Sequence, residues 1–300
     1  MSKTIFLTGA GGMLGREFLR LAVVSDLRII ALSSQSSSLE QEFGNRYEYL
    51  QSEDFLRNGY DFSDIDVLLH CAFPRNNDSV GFAKGLDFQK YVFETAIYGG
   101  VGAVANISSQ SVYDSKRTAP ADENTQVSPE NRYAVSKYMS EQLLEVLCHE
   151  KNVPFTNLRM ASLIGLDFHV RIINRFVKNA IEKGEISVNA GYQSFGFLDV
   201  RDAAAALLCL ASADCEKWEK IYNIGAEREW GIVELAELAK NTVETYTGSN
   251  LSALEINPSE DRLCSALDST RFMSQFLWKP EISMEKFTQE LVEMLLSAQE

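Results

Sequence analysis

The sequence predicts an α/β fold: a doubly wound parallel sheet with a smaller C-terminal lobe. Two observations predict it. Short apolar runs alternate with helical or irregular stretches through the first half of the chain, and the first run ends in a glycine-rich turn before a helix-spaced segment. Such alternation sets parallel strands side by side under helices on both faces.

Taken in order, Thr4 to Thr8 reads as the first strand, and Met13 to Val24 as a helix because its apolar residues recur at helical spacing. Further strands are expected at Leu27 to Leu32, Tyr47 to Leu50, Val67 to Cys71, Ala103 to Ile107 and Phe155 to Met160. The serine-rich stretch Ser33 to Ser38 is too short for a linker and is expected to be the loop after the second strand. Beyond about Ala161 the pattern loosens. It offers a helix at Ile172 to Glu182, a strand at Gly196 to Val200, a helix at Val200 to Ala211, a strand at Ile221 to Ile224 and helical segments near the end. The expected division is a larger unit over residues 1–160, completed by about 195–225, and a lobe formed by 161–194 and 226–300.

Composition narrows the partners. The 300 residues are 45% hydrophobic, enough for a sizeable core. A formal net charge of -14, with no basic run, would repel a phosphate backbone, so nucleic acid is not expected. The five cysteines are an odd number with no close pair and read as buried thiols in a reducing compartment. The opening MSKTIFLTGAGG breaks into glycines too soon for a signal peptide or a membrane span. A cytoplasmic protein acting on a small molecule is expected, with no membrane partner and a homodimer left open.

Chemistry enters with TGAGGMLG, which spaces Gly9, Gly12 and Gly15 three apart between a strand and a helix. Glycines there allow a tight turn, close approach of a pyrophosphate and close helix packing, while the helix N-terminus supplies N–H donors. The spacing differs from Gly-x-Gly-x-x-Gly, and a tight turn without a ligand is the alternative. A dinucleotide site of the NAD type wants a carboxylate at the end of the second strand. Here Ser33 and Ser34 stand in that place, with nothing to repel a 2′-phosphate and no Arg or Lys to bind one. NAD and NADP both remain open, with a lean to NADP.

YAVSK sets Tyr133 and Lys137 four apart, on one face if the segment is helical. A nearby ammonium favours the phenolate and brings a tyrosine towards its working range. Upstream, ISSQSVYD offers Ser108, Ser109 and Ser111 at a strand end, the edge where doubly wound sheets bind ligands. His70, His149 and His169 show no metal-site spacing, so no metal is expected. Asp199 and Asp202 are expected to cap the following helix. Phe195, Tyr222 and Trp230 fit either a cleft lining or the core.

Together TGAGGMLG, LLHCAF, ISSQSVYD, YAVSK, LRMASLIG, FLDVRDAAAAL, YNIGA and LDSTRFMSQFLWKP resemble, in order and nearly end to end, the extended short-chain dehydrogenase/reductase family, also called the epimerase/dehydratase family. The resemblance implies a Rossmann-like larger unit that binds NAD or NADP and a smaller lobe that binds substrate. It adds Met13, Leu14, Cys71 and Ala72 to the cofactor-binding set of Gly9, Gly12, Gly15, Ser33, Ser34, Tyr133 and Lys137. It selects Ser109, four before Tyr113, as the serine that holds the substrate oxygen. Tyr133 would then pass the proton, and Lys137 would tune it and hold the nicotinamide ribose. A nucleotide-activated sugar is the implied substrate, and epimerisation or keto-reduction the implied reaction.

Departures from the family shape the alternatives. Gln110 and Ser111 stand where dehydratases carry an Asp-Glu pair, which disfavours dehydration. Phe195, and a place near Pro258 with Arg262 close by, fall where the family's pyrophosphate arginines are usual, and Gly85 lies near the place of a common asparagine. A reductase of a smaller, non-nucleotide ketone is one alternative. A dinucleotide-sensing regulator without catalysis is another, and the presence of Ser109, Tyr133 and Lys137 argues against it.

Overall fold

The computed structural model describes residues 2–74, 78–168, 170–226 and 228–298. The first half of the chain runs β1 (Thr4–Thr8), α1 (Met13–Ala22), β2 (Arg28–Ser33), α2 (Ser36–Phe43), β3 (Glu48–Gln51), α3 (Ser52–Asn58), β4 (Val67–His70), α4 (Ser79–Tyr98), β5 (Ala103–Ser109), α5 (Arg132–Lys151) and β6 (Phe155–Met160). It continues through β7 (Ser162–Ile164), α6 (Ile172–Lys183), β8 (Ser187–Asp199), α7 (Val200–Ser212), β9 (Ile221–Ile224), β10 (Glu229–Gly231), α8 (Ile232–Thr247), β11 (Glu255–Cys264), α9 (Thr270–Phe276) and α10 (Met284–Ser297).

Seven strands form an all-parallel sheet in the order β3-β2-β1-β4-β5-β6-β9. Every residue of β1, β4, β5 and β6 is buried, which is why these strands read as apolar runs. Alternate side chains feed opposite faces: Ile5 and Leu7 join Leu14, Phe18 and Leu207, while Phe6 joins Phe55, Val92, Phe93 and Leu144. Helices α1 and α7 pack together on the first face and α4 and α5 on the second. The order reverses between β1 and β4, which opens a crevice at their C-terminal ends.

The rest forms a smaller sheet, β10-β8-β11 with β7 alongside, under α6, α8 and α10. Among the described residues no helix is long and apolar enough to cross a membrane.

Several details depart from the sequence reading. Ser36 to Ser38 open α2 instead of lying in a loop, a position where serine hydroxyls are tolerated. The strand expected at Gly196 to Val200 is the end of the much longer β8, which stops at Asp199 and whose first part mixes exposed with buried and half-buried residues at the lobe surface. Asp199 caps α7 by accepting from Arg201 N at 2.9 Å. Asp202 does not cap it; its carboxylate accepts from Glu281 N (3.0 Å) and Ile282 N (2.9 Å), tying the C-terminal segment to α7. All five cysteines are free, but only Cys148 and Cys264 are fully buried, since Cys71 borders the crevice and Cys209 and Cys215 lie near the outer end of α7. His169 lies outside the described residues.

Candidate active site

The turn after β1 is shaped by its glycines. Gly9 takes φ +68°, and a Cβ there would sit 2.7 Å from Ala72 N. A Cβ at Gly15 would lie 2.4 Å from Gly9 O, so α1 reaches the turn only because that atom is missing. Gly12 is the N-cap of α1 with no side-chain cap, which leaves the first-turn N–H groups facing the crevice. The neighbouring β4 end is fixed from β1: Thr8 Oγ1 bonds His70 Nδ1 at 2.9 Å and accepts from Ala72 N at 3.2 Å. Burial, together with the Lys137 charge, pushes His70 down to about 3, so it stays neutral.

This crevice holds a cleft of about 470 Å³ lined in part by Gly9, Gly12, Ser33, Ser34, Cys71 and Ala72. Those six were expected. Met13, Leu14 and Gly15 lie behind the lining on α1, with Leu14 buried in the core, so only its backbone N–H is free to serve a ligand. Gly11, Gln35, Ser52, Phe73, Lys84 and Phe88 also line the cleft and were not singled out from the sequence. Among the described residues Lys84 is the one charged group in the lining. The glycine cradle and the free helix N-terminus fit a dinucleotide's pyrophosphate, and the neutral Ser33, Ser34, Gln35 and Ser52 give a ribose end without a carboxylate.

Helix α5 starts at the Asn131 cap, whose side chain accepts from Ala134 N at 2.9 Å, and carries Tyr133 and Lys137 one turn apart. Ser109 ends β5 beside them. Burial raises the Tyr133 phenol, while the Ser109 hydroxyl and the Arg171 charge act to lower it. Ser109 is also engaged locally, accepting from Ser111 N (3.2 Å) and Ser111 Oγ (3.0 Å). Lys137 is only 3% exposed; its Nζ donates to Ile107 O at 2.7 Å. Burial pushes it down from 10.5 to about 7, against the opposing pull of Cys71 and Glu141.

Phe73 joins the cleft to this pair. Its ring centroid lies 4.1 Å from Lys137 Nζ and 5.0 Å from the Tyr133 ring, to which it is edge-on at 86°. Behind the pair runs a buried polar network. Arg159 bonds Glu141 through Nε (3.0 Å) and Nη2 (2.7 Å), and through Nη1 bonds Tyr113 OH (2.9 Å), which donates to Asn223 Oδ1 (2.9 Å). Ser108 also donates to Glu141. The sequence did carry a signal for Glu141: Tyr133, Lys137 and Glu141 recur every fourth residue on one helix face.

Other expected residues are placed elsewhere. Tyr222 is fully buried in the main core, and Trp230 packs in the core of the smaller lobe with Phe195 at its edge. Arg262 is exposed, its guanidinium over the Tyr192 ring at 4.6 Å. A second cleft, of about 270 Å³, lies in the lobe and is lined by Ile172, Arg175, Phe176, Asn179 and residues of β8.

Comparison with known proteins gives consistent relatives. The family model described as NAD dependent epimerase/dehydratase family matches residues 5–225. The chain is 22% identical to a putative UDP-glucose 4-epimerase of Methanocaldococcus jannaschii, over 96% of this chain and 97% of that one. It is 22% identical to a dTDP-4-dehydro-6-deoxyglucose reductase of Escherichia coli over 97% of both, and 25% identical to a dTDP-D-glucose 4,6-dehydratase of Mus musculus over 82% and 73%. Among solved structures, a UDP-N-acetylglucosamine 4-epimerase from Bacillus cereus superposes with TM-score 0.81 at 22% identity, covering 98% of this chain and 100% of that one. A UDP-glucuronic acid 4-epimerase from Bacillus cereus, in complex with UDP-glucuronic acid and NAD, superposes with TM-score 0.77 at 18% identity, covering 97% and 99%.

Proposed function

Because the chain belongs to the NAD-dependent epimerase/dehydratase family, we propose that it moves a hydride at a hydroxyl or ketone carbon of a nucleotide-activated sugar, as an epimerase or a keto-reductase. The observation that carries this reading is the convergence of Ser109, Tyr133 and Lys137 at the end of the main sheet, beside a glycine-lined cleft. The relatives named for UDP- and dTDP-sugars support the substrate class.

The larger unit, residues 1–160 completed by about 195–225, would hold NAD or NADP through Gly9, Gly12, Met13, Leu14, Gly15, Ser33, Ser34, Cys71 and Ala72. The lobe of 161–194 and 226–300 would hold the substrate. When bound, the nicotinamide supplies the acceptor or donor of the hydride. Tyr133 takes the proton from the substrate oxygen or returns it, and Ser109 holds that oxygen in line. Lys137 supplies a positive charge one helical turn away, which favours the phenolate, and has N–H groups beyond its bond to Ile107 to hold the ribose. The neutral lining at Ser33 and Ser34 tolerates a 2′-phosphate, which keeps NADP in the reading.

Gln110 and Ser111 give the strand end no further carboxylate to abstract or deliver a proton, which favours epimerisation or reduction over dehydration. A reductase of a smaller ketone is favoured by one observation, the apolar Phe195 and Pro258 at the places of the family's pyrophosphate arginines. One experiment tests both readings. Purified protein is denatured and the supernatant analysed for nucleotides, and native protein is assayed with UDP-sugars and with NADPH plus simple ketones. Retained NAD with interconversion of UDP-sugars supports the epimerase, and NADPH turnover on a simple ketone supports the smaller-substrate reading. A protein that binds neither dinucleotide refutes both.

A further inference from the structure

Phe73 belongs to two places at once. Its half-buried ring lines the glycine-rich cleft, and it also meets both Lys137 and Tyr133, one over its face and one at an edge. The Lys137 ammonium stands 4.1 Å from the ring centroid, within the range where the negative face of an aromatic ring attracts a cation. The Tyr133 ring meets it edge-on at 5.0 Å, and the buried Phe82 ring of α4 lies 6.1 Å away. The backbone that carries Phe73 has little room to shift. Ala72 N donates to Thr8 Oγ1 at 3.2 Å, and a Cβ on Gly85 of α4 would fall 2.4 Å from Pro74 Cγ, so the helix closes directly on the residue after Phe73.

A ring held in that place acts on the ammonium in two opposite ways. It excludes water, which disfavours the charge, and it offers a π face, which favours it. The titratable groups around Lys137 are Tyr133 and Glu141 on its own helix and His70 and Cys71 at the end of β4. From β5 it meets the Ile107 carbonyl, and Arg159 of β6 is spent on Glu141. Burial pushes His70 down to about 3 and Cys71 up to about 12, so neither changes charge near neutrality, where Lys137 does.

We propose that Phe73 is a positioning residue of the hydride-transfer reaction, whose fixed ring holds the Lys137 ammonium on its face and the Tyr133 ring at its edge and walls both off from water in the cofactor cleft. This rests on the reading of Tyr133 and Lys137 as the proton-transfer pair.

The test follows the titration of Lys137 by NMR of ε-carbon-labelled lysine in dinucleotide-loaded protein, with Lys137→Met to identify the signal. Wild type, Phe73→Leu, Phe73→Ala and Phe73→Tyr are compared, and unfolding midpoints show that each is folded. Leucine keeps the cover and removes the π face, so the titration midpoint should fall by about 0.5–1.5 pH units. Alanine admits water, so the midpoint should rise by at least about one unit. Single-turnover hydride transfer in Phe73→Ala, at saturating dinucleotide, should fall at least about 10-fold as Tyr133 loses its edge contact. Tyrosine keeps the face and should hold both measures near wild type. Opposite shifts in the leucine and alanine variants sustain the proposal. Midpoints within about 0.2 units of wild type, or moving in the same direction, make the ring a filler and overturn it. A hydride-transfer rate in Phe73→Ala within about twofold of wild type overturns its part in the reaction. Should the alanine variant not fold, the leucine shift against the tyrosine variant decides alone. If wild type transfers no hydride with UDP-sugars or ketones, the functional reading has failed, and the titration shifts by themselves decide whether Phe73 positions the pair.

Discussion

The Lys137 ammonium sits 4.1 Å from the centroid of the Phe73 ring and donates to the Ile107 carbonyl on another side. Three N–H groups on that nitrogen thus meet one carbonyl and one aromatic face, which leaves one direction for Tyr133 or a ribose hydroxyl. Glu141 on the same helix, and His70 and Cys71 at the end of β4, are the other titratable groups that act on it or feel it.

Lys137 should cost the fold stability that it returns as chemistry. Its folded value is about 7, below 10.5, so between those pH values the unfolded chain holds a proton that the native protein has released. Stability from this group therefore rises with pH across that window, and the burial cost is complete below about pH 7. Lys137→Met should unfold at a higher temperature than wild type at pH 6, with the gap closing towards pH 10, while the pH at which hydride transfer rises moves upward. Equal midpoints at pH 6 would mean that the ammonium is not strained.

Tyr133→Phe removes the proposed proton carrier and keeps the ring that packs against Phe73. Single-turnover hydride transfer should fall by about 10²–10⁴-fold, with little change in dinucleotide affinity. Ser109→Ala should slow the same step by a smaller factor. A Tyr133→Phe rate near that of wild type would sink the mechanism.

Cofactor choice is read at Ser33, which is 6% exposed and accepts from Gln35 N at 2.9 Å. An aspartate there brings a negative charge to the expected ribose end of the cleft, so Ser33→Asp should weaken NADPH and strengthen NADH. The ratio of the two dissociation constants is the measurement. A ratio that does not move places the ribose elsewhere.

The Arg159–Glu141 pair is buried at both ends, with side chains 3% and 2% exposed. Removing one partner leaves the other uncompensated, so Arg159→Met should cost about 3–5 kcal/mol in chemical denaturation. Replacing both partners by apolar residues of similar size should recover much of that loss. A single variant as stable as wild type would show that water reaches the pair.

How far the sequence carries depends on where each signal is written. The strands β1, β4, β5 and β6 are buried on both faces and announce themselves as apolar runs, and the spacing of Tyr133 from Lys137 survives in the helix. The glycine turn was legible for the same local reason. Most of β8 was not, because its first part lies at the lobe surface, where exposed Ser187, Asn189 and Tyr192 stand among the buried Val188 and half-buried Ala190, Gly191 and Gln193 and leave no apolar run. Phe73 was missed because its contacts with Tyr133 and Lys137 join segments far apart in the chain. Asp202 reads as a helix cap from its neighbours, and only the returning segment at Glu281 and Ile282 shows its use.

The edge strand β9 comes from residues 221–224, after three elements that belong to the smaller lobe, yet it pairs with β6 at 155–160. During synthesis, then, β6 emerges with an unpaired apolar edge and must wait for more than sixty further residues before its partner exists. A ribosome that stalls in that interval presents a strand ready to pair with any neighbouring chain. Slowing translation across the lobe segment should therefore favour aggregation, and a truncated product ending before Ile221 should need a chaperone to stay in solution.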